Sequence, residues 1–142
     1  MRVDWAIPCR YAEVHDNLAT IIGAGIDHTL VPALPAPVQV VLAIRLVFLP
    51  SEDELGAAHK LRVAALSPDG DKVAEVEGDL NLGGEAVETD WLHGLMTPMA
   101  IQFMAETEGL YNLEVDVDGH TIRVPMNVAT APSAPPAEPG AE

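Results

Sequence analysis

The chain has 142 residues, a formal net charge of −15 and an apolar share of 49%. That is enough for one domain with its own core, while the few, scattered Lys and Arg residues exclude a nucleic-acid binder or a protein docked on anionic membrane. The single cysteine, Cys9, excludes an internal disulfide.

The opening Met-Arg-Val-Asp-Trp carries no apolar signal core. The longest apolar run, Val38 to Leu49, is interrupted by Gln39 and Arg45, well short of the roughly 18 residues of a membrane helix. The expected location is therefore the cytoplasm, free or within a larger assembly built there. Val3, Trp5, Ile7, Cys9 and Tyr11 alternate with Asp4, Ala6, Pro8 and Arg10, which predicts a strand. Pro8 has no N–H and places that strand at a sheet edge or a bulge. Cys9 reads as a small core residue. His15-Asp16-Asn17 is turn chemistry, and Leu18 to Ile26 is a second strand that pairs with the first in a hairpin. Gly23 and Gly25 mark a bulge or a close backbone approach in it.

Val31 to Pro37 holds three prolines and reads as an extended crossover between sheets. Val38, Val40, Leu42, Ile44, Leu46 and Phe48 then form the cleanest apolar face of the chain. Val41, Ala43 and Val47 make the opposite face partly apolar too, so this is a central strand. Pro50 to Gly56 is an acidic loop, and His59 to Leu66 is a strand. Ser67-Pro68-Asp69-Gly70-Asp71 is a turn. The return strand turns Ala74, Val76, Leu80 and Leu82 inward. Gly83 to Pro98 is irregular, and Met99, Ile101 and Phe103 begin the next strand.

Gly109 to Met126 is a β-hairpin about Asp118-Gly119, a two-residue turn that needs positive φ. Its register follows from the pattern. Val117 faces His120, Val115 faces Ile122, Leu113 faces Val124 and Tyr111 faces Met126, with Glu114 opposite Arg123 and Asp116 opposite Thr121. Residues 130–142 form a Pro/Ala tail without core residues, expected to be disordered or extended. About eight strands without a convincing helix predict an antiparallel β-sandwich over residues 1–129, immunoglobulin-like or related, with a barrel as the alternative.

Tyr11-Ala12-Glu13-Val14-His15-Asp16-Asn17-Leu18, then Ile21-Ile22-Gly23-Ala24-Gly25 and the Leu34-Pro35-Ala36-Pro37 crossover, resemble the opening of a family of uncharacterised small proteins common in actinobacterial genomes. Leu66-Ser67-Pro68-Asp69-Gly70 and Gly109-Leu110-Tyr111 with Val115-Asp116-Val117-Asp118-Gly119 match its later part. The resemblance covers roughly residues 1–128, and Ala24 stands where members carry a second Gly. It implies a β fold and no activity.

His15, His28, His59, His93 and His120 form no metal-ligand spacing. The turn carboxylates Asp69, Asp71, Asp116 and Asp118 lack the full spacing of a calcium loop. No nucleophile elbow and no Gly-rich phosphate cradle occur. Trp91 is the best candidate anchor for recognition, and Trp91, His93, Asp69 and Asp118 together make the candidate binding loops. The expectation is a non-catalytic module without metal or cofactor, acting through a protein partner or a homo-oligomer, without nucleic acid or membrane. Exposed strand edges and the tail would be its means of association. The alternative is a small-ligand module that takes Ca²⁺ or carbohydrate at these loops, and an enzyme comes third.

Overall fold

Among the described residues ten strands follow one another: β1 (Arg2–Cys9), β2 (Tyr11–His15), β3 (Leu18–Ile22), β4 (His28–Val31), β5 (Ala36–Phe48), β6 (His59–Leu66), β7 (Lys72–Leu80), β8 (His93–Ala105), β9 (Gly109–Val117) and β10 (His120–Thr130). The structure, a computed structural model, describes residues 1–51, 55–83 and 89–133. The centre of the acidic loop at 52–54, Glu85 and Glu88, and the tail beyond Ser133 lie outside the described residues. Among the described residues the chain is nearly all β, in three sheets of order β1-β5-β8, β4-β10-β9-β6-β7 and β2-β3.

The two larger sheets share one core. Val38, Val40, Leu42, Ile44 and Leu46 of β5 and Ile101 and Phe103 of β8 belong to the same buried cluster as Leu61 and Val63 of β6, Leu113 and Val115 of β9, and Val124 and Met126 of β10. Full burial of a Leu or Ile side chain contributes roughly 1.5–3 kcal/mol. Phe103 and Tyr111 stack with ring centroids 5.1 Å apart. The Tyr111 hydroxyl donates to the Thr107 carbonyl at 2.9 Å, back across the corner between β8 and β9.

The last hairpin has the register that its alternation dictates, from His120↔Val117 to Met126↔Tyr111. Asp118 and Gly119 have φ of 52° and 79°, the left-handed pair that such a turn requires. Arg123 Nε donates to Glu114 Oε2 at 2.9 Å and Thr121 Oγ1 to Asp116 Oδ2 at 2.6 Å. Further ion pairs extend this polar face over β6 and β7: Arg62 with Asp116 at 3.8 Å, Lys60 with Glu77 at 3.3 Å and Lys72 with Glu75 at 2.9 Å.

Several sequence expectations are corrected. The strands among the described residues number ten rather than about eight. The first strand does not pair with the segment from Leu18: β1 pairs with β5 as Arg2↔Val47 through Cys9↔Val41, and the first hairpin is β2 with β3. The Pro-rich crossover is shorter than expected, because His28–Val31 adds to β10 in parallel and β5 already begins at Ala36. Only residues 32–35 remain between them, with Leu34–Pro35 in the cis form. β7 ends at Leu80, before Leu82. β8 starts at His93, six residues before Met99, because all thirteen residues of β5 find partners along it, from Ala36↔Ala105 to Phe48↔His93. Pro8 does sit on an edge strand.

The β2-β3 hairpin is a third layer. Ala43 and Val47 are buried and Val41 is half-buried, yet all three stand outside the central cluster, and β2 lies against β5 and β8. Cys9 is buried here as well, 3.6 Å from the Val41 carbonyl, and burial pushes its thiol pKa up. The path rejoins itself after the hairpin, where the Gly25 N–H donates to the Pro8 carbonyl at 2.9 Å.

Candidate functional site

Two strands end together beside Trp91. β5 and β8 are antiparallel, so the last residue of one, Phe48, is the cross-strand partner of the first residue of the other, His93. Their rings lie 6.1 Å apart. Trp91, two residues before His93, stacks flat on the imidazole at 6.0 Å and 4°. Thr89 Oγ1 sits 3.4 Å from both the Trp91 carbonyl and His93 Nε2. The indole is 62% exposed, so one face rests on His93 while much of the ring is in water. Beside it a groove of about 370 Å³ is lined by Phe48, Leu55, Leu82, His93 and Leu95, with Asn17 from the tip of the β2-β3 hairpin. The aromatic ring thus stands two residues before the start of β8, which suits apolar or stacking contacts, and among the described residues few polar groups lie beside it for chemistry.

Asp118 belongs to the same end of the strands, since the chain begins there at Arg2↔Val47 and the Met1 amino group lies 3.8 Å from Asp118 Oδ2. That carboxylate is engaged: it also lies 2.8 Å from Nδ1 of His59, a buried side chain at the start of β6. Asp69 is at the opposite end, in the β6-β7 turn, where a groove of about 300 Å³ also takes in Asp71, Glu106 and Thr107. The four candidate residues therefore divide. Trp91 and His93 form one stacked unit, Asp118 is a partner of His59 and the amino terminus, and Asp69 is remote from all of them.

The other histidines are spread as well. His28 Nδ1 is 2.6 Å from Asp27, and His120 Nδ1 accepts from the Val3 N–H at 3.2 Å. The bond from His28 holds the Asp27 carboxyl below its usual pKa. Among the described residues no group of three or more His, Cys, Asp or Glu side chains is placed to hold a metal ion. No helix among them is long and apolar enough to cross a membrane.

Sequence reasoning did not find Asn17 or His59. Their partners are 77 and 59 residues away along the chain, and no local pattern encodes such a distance. A stack of residues 91 and 93 was within reach, since side chains two apart in an extended segment lie on one side.

No curated protein and no solved structure gives a significant match to this chain. The family model of DUF6941, a family of unknown function, matches residues 4–129, and the chain belongs to that family.

Proposed function

We propose that this chain is a non-catalytic binding module, an immunoglobulin-like β-sandwich that works in the cytoplasm and recognises a protein partner with the strand end around Trp91. The strand order supports the sandwich. β1-β5-β8 corresponds to strands A, B and E of an immunoglobulin domain, and β10-β9-β6-β7 to G, F, C and C′. β4, parallel to β10, takes the place of the second half of a split first strand. Tyr111 near the start of β9, bonded back to Thr107, has the position and the partner of the tyrosine corner.

The observation that carries the recognition reading is the exposed indole of Trp91 held flat on His93. Aromatic anchors of low conformational freedom dominate binding energy at protein interfaces. The outer face of the five-stranded sheet offers less. Its side chains are joined by cross-strand ion pairs, and a partner would have to break or desolvate them. The test is Trp91→Ala, assayed by native mass and by cross-linking with the proteins that co-purify with the wild-type chain. The expected result is a lost partner at unchanged melting temperature. A partner retained at wild-type level by the folded variant would remove Trp91 from the interface.

A further inference from the structure

A second surface lies away from Trp91, between β3 and β4. Ile22, Gly23, Gly25, Leu30 and Arg10 line an open groove of about 640 Å³. Its apolar lips are bare: Ile22 is 57% exposed and Leu30 is 56%. β4 is the last strand of its sheet, so the backbone on its outer side has no neighbouring strand among the described residues.

Arg10 gives the groove its charge. Its aliphatic stem lies on Gly23, where a Cβ would come within 2.9 Å of Arg10 Cγ and where φ is +65°. Only glycine meets both demands without strain. Arg45, Lys60, Arg62, Lys72 and Arg123 are ion-paired. Arg10, like Arg2, has no carboxylate partner among the described residues, although the chain carries 22 acidic residues against 7 Lys and Arg. Asp27, which borders the same groove, is engaged with His28. A fitting occupant is extended, modest in side-chain size, apolar, and carries a carboxylate.

Residues 131–142 read Ala-Pro-Ser-Ala-Pro-Pro-Ala-Glu-Pro-Gly-Ala-Glu and hold no basic residue. The chain enters this stretch beside β4, where the Ala131 N–H donates to the Val31 carbonyl at 2.8 Å. Because β4 and β10 are parallel, the polypeptide leaves past Val31, heading away from the His28 end of β4. Pro132, Pro135 and Pro136 restrict φ and oppose a tight reversal into the groove of the same molecule. Nine extended residues of this composition reach about 28 Å, far enough for a neighbour. Glu138 precedes Pro139, a position biased to extended backbone.

We infer that the groove between β3 and β4 receives the Pro/Ala/Glu tail of a second copy of the chain, with Arg10 pairing to Glu138. The apolar lips hold the Pro and Ala side chains, and the charge pair sets the register. This surface is independent of the one around Trp91.

The test is sedimentation of the full-length chain over a wide concentration range. The wild type is expected to self-associate reversibly. Arg10→Glu and Glu138→Arg should each weaken that association at least tenfold, and the double variant should restore it. Glu138 belongs to the stretch whose Pro/Ala composition supplies no core residues, so its substitution reads the interaction even if Arg10→Glu perturbs folding. A wild-type chain that stays monomeric overturns the inference, as does association unaltered by Glu138→Arg. Association that persists in Arg10→Glu but is lost in Trp91→Ala would assign assembly to the other surface and overturn this one.

Discussion

Asn17 joins Met96 across the outer edge of β8: the Asn17 Oδ1 accepts from the Met96 N–H at 2.7 Å, while its Nδ2–H donates to the Gly94 carbonyl at 2.6 Å. Residues two apart on a strand present their backbone groups to the same side, so one side-chain amide takes the place of a missing strand's peptide group. Pro98, two residues further, has no N–H to offer on that edge. Together they blunt an edge that would otherwise invite pairing with another chain.

Asn17 has φ of 60°, so Asn17→Gly removes the two bonds without backbone strain. The expected loss is about 1–3 kcal/mol, read as a lower urea midpoint at unchanged slope. A variant as stable as the wild type would show that water replaces the amide at no cost.

Asp118→Asn keeps the hairpin, since Asn-Gly supports the same turn, but it removes the carboxylate beside His59 and the amino terminus. Asp118 is about one-third exposed, so the expected loss is modest, about 1 kcal/mol. Amide exchange should show the β9-β10 register intact. A shifted register in that variant would contradict the assignment of the turn to backbone geometry alone.

Tyr111→Phe deletes one bond, from the hydroxyl to the Thr107 carbonyl, and leaves the stack on Phe103 in place. A cost of about 1 kcal/mol is expected. Leu113→Asp is of another order, because it places a charge at a fully buried site without a counter-ion. That variant should not fold, as judged by loss of the cooperative thermal transition.

Glu108 binds the end of β10. Thr130 donates to its Oε1 from the backbone N–H at 2.7 Å and from the hydroxyl, and these bonds hold the carboxyl below its usual pKa, the hydroxyl bond first. A depressed carboxyl stabilises the folded state above its unfolded pKa, and that contribution fades as pH falls through the lower folded value. The end of β10 should therefore fray below the ordinary glutamate range, about pH 4.3. Amide exchange at Thr130 and Ala131, followed against pH, should show this. Glu108→Gln should abolish the pH dependence, and a dependence that survives it would point to another group.

The legible parts of this fold are those whose partner lies close in sequence. Alternation over Gly109–Met126 and a turn with a defined handedness dictate the β9-β10 register residue by residue, from Val117–His120 to Tyr111–Met126. Burial on both faces of β5 was also readable from Val41, Ala43 and Val47, since only a covered strand tolerates such residues on its second face. The identity of the cover was not readable. A period of two tells which side chains share a face, but not which strand lies beside them. Hence the pattern sets β1 beside the wrong neighbour, and β4, whose partner Asn127 is about a hundred residues from His28, carries no strand signal of its own, only its last residue Val31 falling within the expected crossover. The start of β8 was hidden because His93-Gly94-Leu95-Met96-Thr97-Pro98 carries Gly and Pro. Gly and Pro depress strand propensity, and a thirteen-residue partner overrides them. At the candidate site Trp91 and His93 were found together, whereas Asp69 was joined to them by residue type alone, which holds no information about the end of the fold on which a turn falls.

The contact of Gly25 with Pro8 at the base of the β2-β3 hairpin has a bearing on design. The chain could pass from β1 to β4 at that point without detour, so the hairpin is a cassette spliced between two strands that serve different sheets. Its tip could be lengthened or recoded without altering the strand order. Outright excision is limited by what the cassette shields. Val41, Ala43 and Val47 would be bared to water, and any shorter replacement must supply a new roof for them.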